Sequence, residues 1–424
     1  MAQTGRPLCH GCLQAAPVLH HRRINHGCFQ IMSRAYKVTI IQATVKQYRE
    51  SFYLQLRELL SRHGVELTVI YSAPGRIDAS KKDDIDLPSA MTKRVPRIYL
   101  LNDRILLQFL PFAEVMRSDL VIIDQATGCL HNYPLLLLSR LGLKKVAFWG
   151  HGYNRQGNPA TLSERCKRHL INWSSSWFAY TAGTAGYLAA AGVSLHRITS
   201  VDNAVDTNGF RSLLESVTDG EISGKRRQFG VTADDCVALY CGSLYGEKRI
   251  PYLLHAAKLI WEMEPRFRLL VVGAGPEAEI VRQAGAGSSH VLYGGPLFGR
   301  DKAICFRMAD LFLNPGLVGL GILDSFCAGL PFVTTAEALH SPEIDYLADG
   351  VNGLMVSGDE AVFAGAVVDL LLNPGRMTAM RRAAEQTATR YTIENMVAKM
   401  GKGILDSLGV AIVPDSGVNG PPSP

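Results

Sequence analysis

Val237-Ala-Leu-Tyr-Cys-Gly-Ser-Leu-Tyr-Gly-Glu-Lys-Arg-Ile250 is a continuous apolar run that breaks at a glycine and re-enters an apolar stretch lasting to about residue 263. A run without polar alternation predicts a strand buried on both faces, as parallel sheets require. The glycine-bearing turn and the stretch 251–263 then predict a crossover helix, the connection that parallel neighbours need. The same unit recurs on both sides of this one. Downstream, 267–272, 290–293, 310–314 and 332–335 read as strands, with a further helix at 320–328. Upstream, 38–43, 66–71, 119–124, 145–149, 177–180 and 197–201 read as strands. The stretch 50–63 sets Phe52, Leu56, Leu59 and Leu60 on one side of a helix. The charged, proline-bearing stretch 74–95 reads as a loop, and 216–227 as a polar link between the two series.

Two such series predict an α/β protein of two Rossmann-like domains, their parallel sheets facing across a cleft. In these sheets ligands bind beyond the carboxyl ends of the strands. The expected boundaries are 36–208 and 209–391, with 392–408 crossing back onto the first domain. Residues 1–35 read as a disordered leader, with Met32 a sensible alternative start, and the Pro-, Gly- and Ser-rich 409–424 as a disordered tail.

Composition narrows the class. With 47% hydrophobic and 19% charged residues, the chain has the makings of sizeable cores and not of a disordered protein. Nine cysteines, an odd and scattered number, read as free thiols in a reducing, cytoplasmic setting. No apolar run approaches the length of a membrane span. The net charge of +6 suits nucleotide phosphates or an anionic membrane surface. The stretch 144–168 is basic and lies near Trp173 and Trp177, which suits either a membrane contact or a solvated face. No aromatic platform or known module organises the basic residues for nucleic acid. Cys9, Cys12 and Cys28 with the leader histidines lack a second well-spaced ligand pair, so no metal is expected.

Several turns carry residues suited to anion chemistry. Lys248 and Arg249 either neutralise a diphosphate or form a solvated basic helix start. Gly273 and Gly275, in Gly-Ala-Gly-Pro-Glu277, allow a phosphate approach or merely a tight turn. The loop Asn314-Pro-Gly-Leu-Val-Gly-Leu-Gly321 leads into a helix whose amino end offers N–H groups to an anion. Asp324 in its first turn suits a ribose hydroxyl or simply complements the helix dipole. His151 lies between glycines at a strand end, in Phe148-Trp-Gly-His-Gly-Tyr-Asn154, either to meet a sugar or phosphate or as a structural loop residue.

Together these segments resemble glycosyltransferase family 4 (group 1), the retaining GT-B enzymes, over roughly residues 36–408. GSLYGEKRI at 242–250, VVGAGPE at 271–277, GGP at 294–296, NPGLVGLGILDSFCAGLPFVTT at 314–335 and NGLMV at 352–356 carry most of the likeness. VKQYRESFYLQL at 45–56, FWGHG at 148–152 and VDNAVDTNGF at 201–210 add to it. The resemblance implies that residues 209–391 bind the donor nucleotide and 36–208 the acceptor. It puts Lys248 on the diphosphate, with Arg249 beside it. The amides of Val318, Gly319, Leu320 and Gly321 meet phosphate or sugar, Gly295, Pro296 and Leu297 lie along the base, and Asp324 meets the ribose. His151 touches the transferred sugar, and Tyr48, Arg49 and Asn154 face the acceptor side.

Two departures from the family's pattern stand out. Ser243 occupies the place of an arginine beside the diphosphate. The family's paired glutamates fall at Gly316 and Asp324, so the first is lost, and Glu343 becomes a candidate substitute. A subgroup of the family has a glycine-rich loop of this kind. The expected activity is sugar transfer from a UDP- or GDP-sugar to a saccharide or lipid-linked acceptor, as in polysaccharide biosynthesis. Retention of configuration and no metal are implied. A nucleotide-sugar epimerase and an inactive sugar-nucleotide-binding homologue are the rival readings.

Overall fold

The computed structural model describes residues 35–75, 84–152 and 168–411. The leader reading of 1–35 therefore lies outside the described residues except for Ala35, and the tail reading except for residues 409–411. Asn154 also lies outside them.

The first series is β1 (Tyr36–Ile41), α1 (Glu50–Arg62), β2 (Val65–Tyr71), β3 (Thr92–Arg94), the hairpin β4 (Arg97–Leu100) and β5 (Ile105–Gln108), α2 (Phe112–Arg117), β6 (Leu120–Asp124), α3 (Asn132–Arg140), β7 (Val146–Gly150), β8 (Ser176–Ala179), α4 (Ala182–Ala190) and β9 (Ile198–Ser200). Seven of these strands form one parallel sheet in the order β3-β2-β1-β6-β7-β8-β9, and β4 and β5 pair separately. Alternate residues feed opposite faces. Ile40 and Ile122 pack with Phe52, Leu56 and Leu60 of α1, while Ile41, Val121 and Ile123 pack with Leu135 and Leu136 of α3.

The second series begins with α5 (Thr207–Glu215), α6 (Asp219–Gln228), β10 (Cys236–Cys241), α7 (Ile250–Met263), β11 (Phe267–Val272), α8 (Ala278–Gly287), β12 (Val291–Gly295) and α9 (Gly299–Arg307). It continues with β13 (Leu311–Leu313), α10 (Gly321–Cys327), β14 (Phe332–Thr335), β15 (Gly353–Val356), α11 (Glu360–Leu371) and α12 (Pro374–Ala388). Its sheet is also parallel, in the order β12-β11-β10-β13-β14-β15. Helix α13 (Ile393–Leu408) returns to the first domain and packs on α1, β8 and β9. Gly401 and Gly403 permit that approach. A Cβ on Gly401 would sit 2.5 Å from Leu59, and one on Gly403 would sit 2.6 Å from the Thr199 hydroxyl.

Some stretches differ from their sequence reading. The polar link at 216–227 is mostly helix α6. Its charged sequence has little apolar face, but a Thr218–Glu221 capping box starts it, and Arg300 and Asp301 of α9 hold Glu221 and Lys225. The stretch 74–95 contains edge strand β3, whose Thr-Lys-Arg sequence lacks an apolar signature. Trp177 is fully buried against Phe148 and belongs to the core, so it takes no part in a surface contact. Of the basic stretch proposed around it, Arg155, Arg165 and Lys167 lie outside the described residues.

Candidate functional site

In each sheet the strand order reverses once, between β1 and β6 in the first and between β10 and β13 in the second. Crevices beyond the carboxyl ends of such strands are where open α/β sheets hold ligands. The β10/β13 crevice is formed by the loops 242–249 and 314–320, the two stretches that carry the strongest chemistry in the sequence.

These loops are joined tightly. The Leu317 amide donates to Glu247 O at 2.8 Å, and the Lys248 ammonium donates to Leu317 O at 2.5 Å. Gly316 lies between them with no room for a side chain. A Cβ there would stand 2.3 Å from the Lys248 carbonyl carbon and 2.4 Å from Glu247 O. The lost family glutamate is thus a packing requirement of this loop pair. Burial pushes the Lys248 ammonium down to about 8, partly opposed by the nearby Glu343 and Glu247 carboxylates. Arg249 diverges from its neighbour. It adopts a left-handed backbone at φ 55°, lies 4.2 Å over the Tyr252 ring, and donates to Thr335 Oγ1 at 2.8 Å. Its guanidinium therefore braces the back of the loop and is not directed at a diphosphate.

Other residues named from the sequence fall into separate roles. Gly273 and Gly275 have φ of 153°, and a Cβ on them would meet Gly242 O at 1.9 Å and Leu244 O at 2.2 Å. Close backbone packing between the two turns accounts for both glycines, as the tight-turn alternative expects. The Val318 amide donates to His340 Nδ1 at 3.2 Å, so it too is committed inside the fold. Gly319, Leu320 and Gly321 are half-exposed at the start of α10. Asp324, in its first turn, accepts from Lys302 at 2.8 Å. Burial opposes the Lys302 charge, but Asp324 outweighs it and raises the ammonium pKa. Ser243 and Pro296 are exposed, Leu297 is half-buried, and Gly295 turns the chain with φ 67°.

A polar seam joins the two domains. Arg49, from the loop after β1, is buried. It donates to Asn203 Oδ1, and to Met396 Sδ of α13 at 3.4 Å. Asn203 in turn donates to Glu343 Oε1 at 2.5 Å, and Tyr346 Oη donates to Asn203 O at 2.8 Å. Burial raises the Glu343 carboxyl, with the Asn203 hydrogen bond opposing. Thr181, the N-cap of α4, donates to Asp345 at 2.5 Å. These contacts correct two expectations: Arg49 and Glu343 are both buried against Asn203 of the first domain, not exposed to an acceptor or a sugar. Tyr48 remains exposed beside Arg49, 5.1 Å from its guanidinium. His151 is exposed and packs edge-on against Tyr180 at 4.5 Å. Tyr180 and Trp149 flank Arg49, at 5.9 and 5.2 Å, which places His151 one ring away from the seam.

Asp124 was not singled out from the sequence. It ends β6 at the first sheet's reversal, where Gln42 donates to it at 2.6 Å, and burial pushes its carboxyl up to about 6. A single acid closing an apolar run has no motif, but its place at a strand end beside the sheet's reversal is a signal.

Residues 235–373 match the family model described as Glycosyl transferases group 1. The chain is 27% identical over 183 residues to a putative glycosyltransferase, EpsD, of Bacillus subtilis, covering 41% of this chain and 46% of that protein. It is 31% identical over 218 residues to a D-inositol 3-phosphate glycosyltransferase of Acidothermus cellulolyticus, covering 47% and 46%. The chain thus spans just under half the length of these curated relatives. Among solved structures, Anabaena HepE in complex with UDP superposes with a TM-score of 0.62 at 16% identity, covering 87% of this chain and 99% of that one. A Thermosynechococcus elongatus sucrose-phosphate synthase superposes with a TM-score of 0.63 at 15% identity, covering 89% and 100%. The fold of the described chain is GT-B.

Proposed function

We propose that this chain, a GT-B protein resembling the group 1 glycosyltransferases through residues 235–373, transfers a sugar from a nucleoside-diphosphate sugar to a saccharide or lipid-linked acceptor. The observation that carries this reading is the tight pair of loops at the β10/β13 reversal. They hold the Lys248 ammonium against Leu317 O just ahead of the half-exposed amides of Gly319, Leu320 and Gly321. Breaking the anomeric carbon–oxygen bond leaves negative charge on the diphosphate, and a fixed ammonium with oriented N–H groups stabilises that charge in the transition state. No metal is invoked, because the ammonium and amides meet the leaving group. Asp324 accepts from Lys302 through Oδ2, and its Oδ1 is the atom assigned to a ribose hydroxyl. His151 is assigned to the transferred sugar, and retention of configuration follows the family resemblance.

The inactive-homologue reading rests on the missing glutamate at Gly316 and the missing arginine at Ser243. A loop built around the absence of a side chain at that position supports a remodelled site over a decayed one. The test is a thermal-shift series with UDP, GDP, ADP, dTDP and CMP on the full chain and on Lys248→Ala, since a ligand that binds only the folded state raises the melting temperature. A shift with UDP or GDP, lost in the variant, is the expected result. No shift with any nucleotide would remove the donor site, and with it the proposed activity.

A further inference from the structure

The first domain carries an apolar face that no described residue covers. In the β4–β5 hairpin Leu106 and Gln108 are buried, so Leu107 points outward beside its cross-strand partner Ile98. Leu106 also bridges Cys129 in parallel, which sets Leu130 beside Leu107 on the outward side. Ile98, Leu107 and Leu130 therefore form an apolar row across three chain segments. Helix α3 begins directly after this row. Its Leu135 and Leu136 enter the core, whereas Tyr133 and Leu137 face outward, and Leu141 follows at the helix end on the same side. Leu137 is 49% and Leu141 61% exposed. A helix apolar on two faces, with only one covered, lacks a partner on the other.

Positive charge frames this face. Between residues 93 and 145 there are eight Lys and Arg against four Asp and Glu, whereas the whole chain has 44 against 38. The four acids are occupied locally. Glu114 pairs with Lys93, Asp119 accepts from the Lys37 amide, Asp124 accepts from Gln42, and Asp103 lies against Gly75. Arg104 at the hairpin turn, Arg117 at the end of α2 and Arg140 on α3 are exposed. None of the three has an ion-pair partner among the described residues.

We infer that this face docks on an anionic lipid bilayer. Apolar side chains on a rigid hairpin and helix enter the boundary between headgroups and acyl chains, while arginines at the rim stay level with the anionic headgroups. The charge selects this occupant, because a second copy of the chain would set the same arginines against themselves. The location also fits. Gln108 donates to Gln42 O at 3.0 Å and to Ser72 Oγ at 2.9 Å, which ties the hairpin to the carboxyl ends of β1 and β2. Asn132 donates to Asp124 O at 2.8 Å, tying the start of α3 to the end of β6. The face therefore borders the ligand-binding edge of the first sheet. Where the proposed transfer reaction holds, and this step alone rests on it, the bilayer would present a lipid-linked acceptor at that edge.

The test is flotation of the full chain with phosphatidylcholine vesicles, with and without roughly a third phosphatidylglycerol. The expected result is binding to the anionic vesicles, little to the neutral ones, and steep weakening with salt. Leu137→Asp with Leu141→Asp, and separately Arg104→Gln with Arg140→Gln, should each lower the bound fraction on the order of tenfold. All four positions are exposed, and an unchanged melting temperature and UDP-induced shift in each variant would show that fold and donor site are intact. Binding by the variants equal to the parent would overturn the inference. So would a parent that ignores vesicles, including one that sediments as a dimer which Leu137→Asp dissociates. Because vesicle binding and the UDP shift are read separately, failure of one leaves the other standing.

Discussion

At Gly316 sequence and structure carry opposite signs. Beside the family pattern the position reads as a lost glutamate, because a motif records which side chain is present and not the space around it. The structure fills that space with the backbone of residues 247–248. That Lys248, Gly319 to Gly321 and Asp324 lie on one strand-end loop pair and the helix after it was legible, since cation, glycine loop and helix start fall in order along the chain. Arg249, Gly273, Gly275 and Val318 were legible as loop residues but not in their direction, which backbone angles and neighbouring loops decide. Lys248 yields a pH prediction. Burial sets its ammonium near 8 instead of the usual lysine range, so the unliganded site is charged below that pH and increasingly neutral above it. A diphosphate favours the charged form. UDP affinity should therefore vary little between about pH 7 and 7.5, where the terminal phosphate is ionised and Lys248 charged, and fall toward tenfold per unit above pH 8. Calorimetric titrations across this range check it, and affinity unchanged at pH 9.5 would rule out Lys248 as the diphosphate contact. The Lys248→Arg variant, whose charge persists to high pH, should lose the inflection even if it binds more weakly.

Among the elements, the strands buried on both faces were legible almost to the residue, because a short unbroken apolar run between turns must be covered from both sides. Edge strands β3 and β15, the β4–β5 hairpin and helix α6 were not. Their positions depend on partners distant in sequence, such as Arg300 and Asp301 for α6. Helix α13 shows how a favourable local preference is overridden by packing. Glycine inside a helix costs about 1 kcal/mol relative to alanine, so Gly403→Ala would stabilise an isolated helix. Here the added Cβ would meet Thr199 at 2.6 Å and Phe178 at 2.7 Å, both in the first domain's sheet region. The crossing helix must then shift, and overpacking of this kind costs ~1–3 kcal/mol. Gly403→Ala should therefore lower the melting temperature measured by circular dichroism, while the UDP-induced shift persists because the donor loops are remote from the substitution. A higher melting temperature would mean that α13 rests less closely on the first domain than its glycines imply.

At the scale of the whole molecule, a few buried polar groups join the domains, and although Arg49 and Glu343 stood out in the sequence, no local pattern announced that they meet through Asn203. Asn203 joins the seam by accepting from Arg49 and donating to Glu343, while its backbone oxygen receives Tyr346. Asp345 adds a carboxylate at the amino end of α4, where the helix dipole and the Thr181 hydroxyl favour it. Such a seam specifies how the domains meet more than it stabilises their contact, because desolvating Arg49 and Glu343 offsets much of their attraction. Removing the group between them is a different matter. Asn203→Ala leaves a buried guanidinium and a buried carboxylate without their shared partner, a loss of about 1.5–3 kcal/mol for each hydrogen bond removed if the seam stays shut. Opening the domains to water is the cheaper response. Asn203→Ala should therefore enlarge the radius of gyration in small-angle scattering and lower the melting temperature less than a fully buried defect would. Arg49→Met combined with Glu343→Leu, which removes both charges, should restore compactness in the Asn203→Ala background. An unchanged radius in Asn203→Ala would mean that the cores, and not the seam, hold the two domains together.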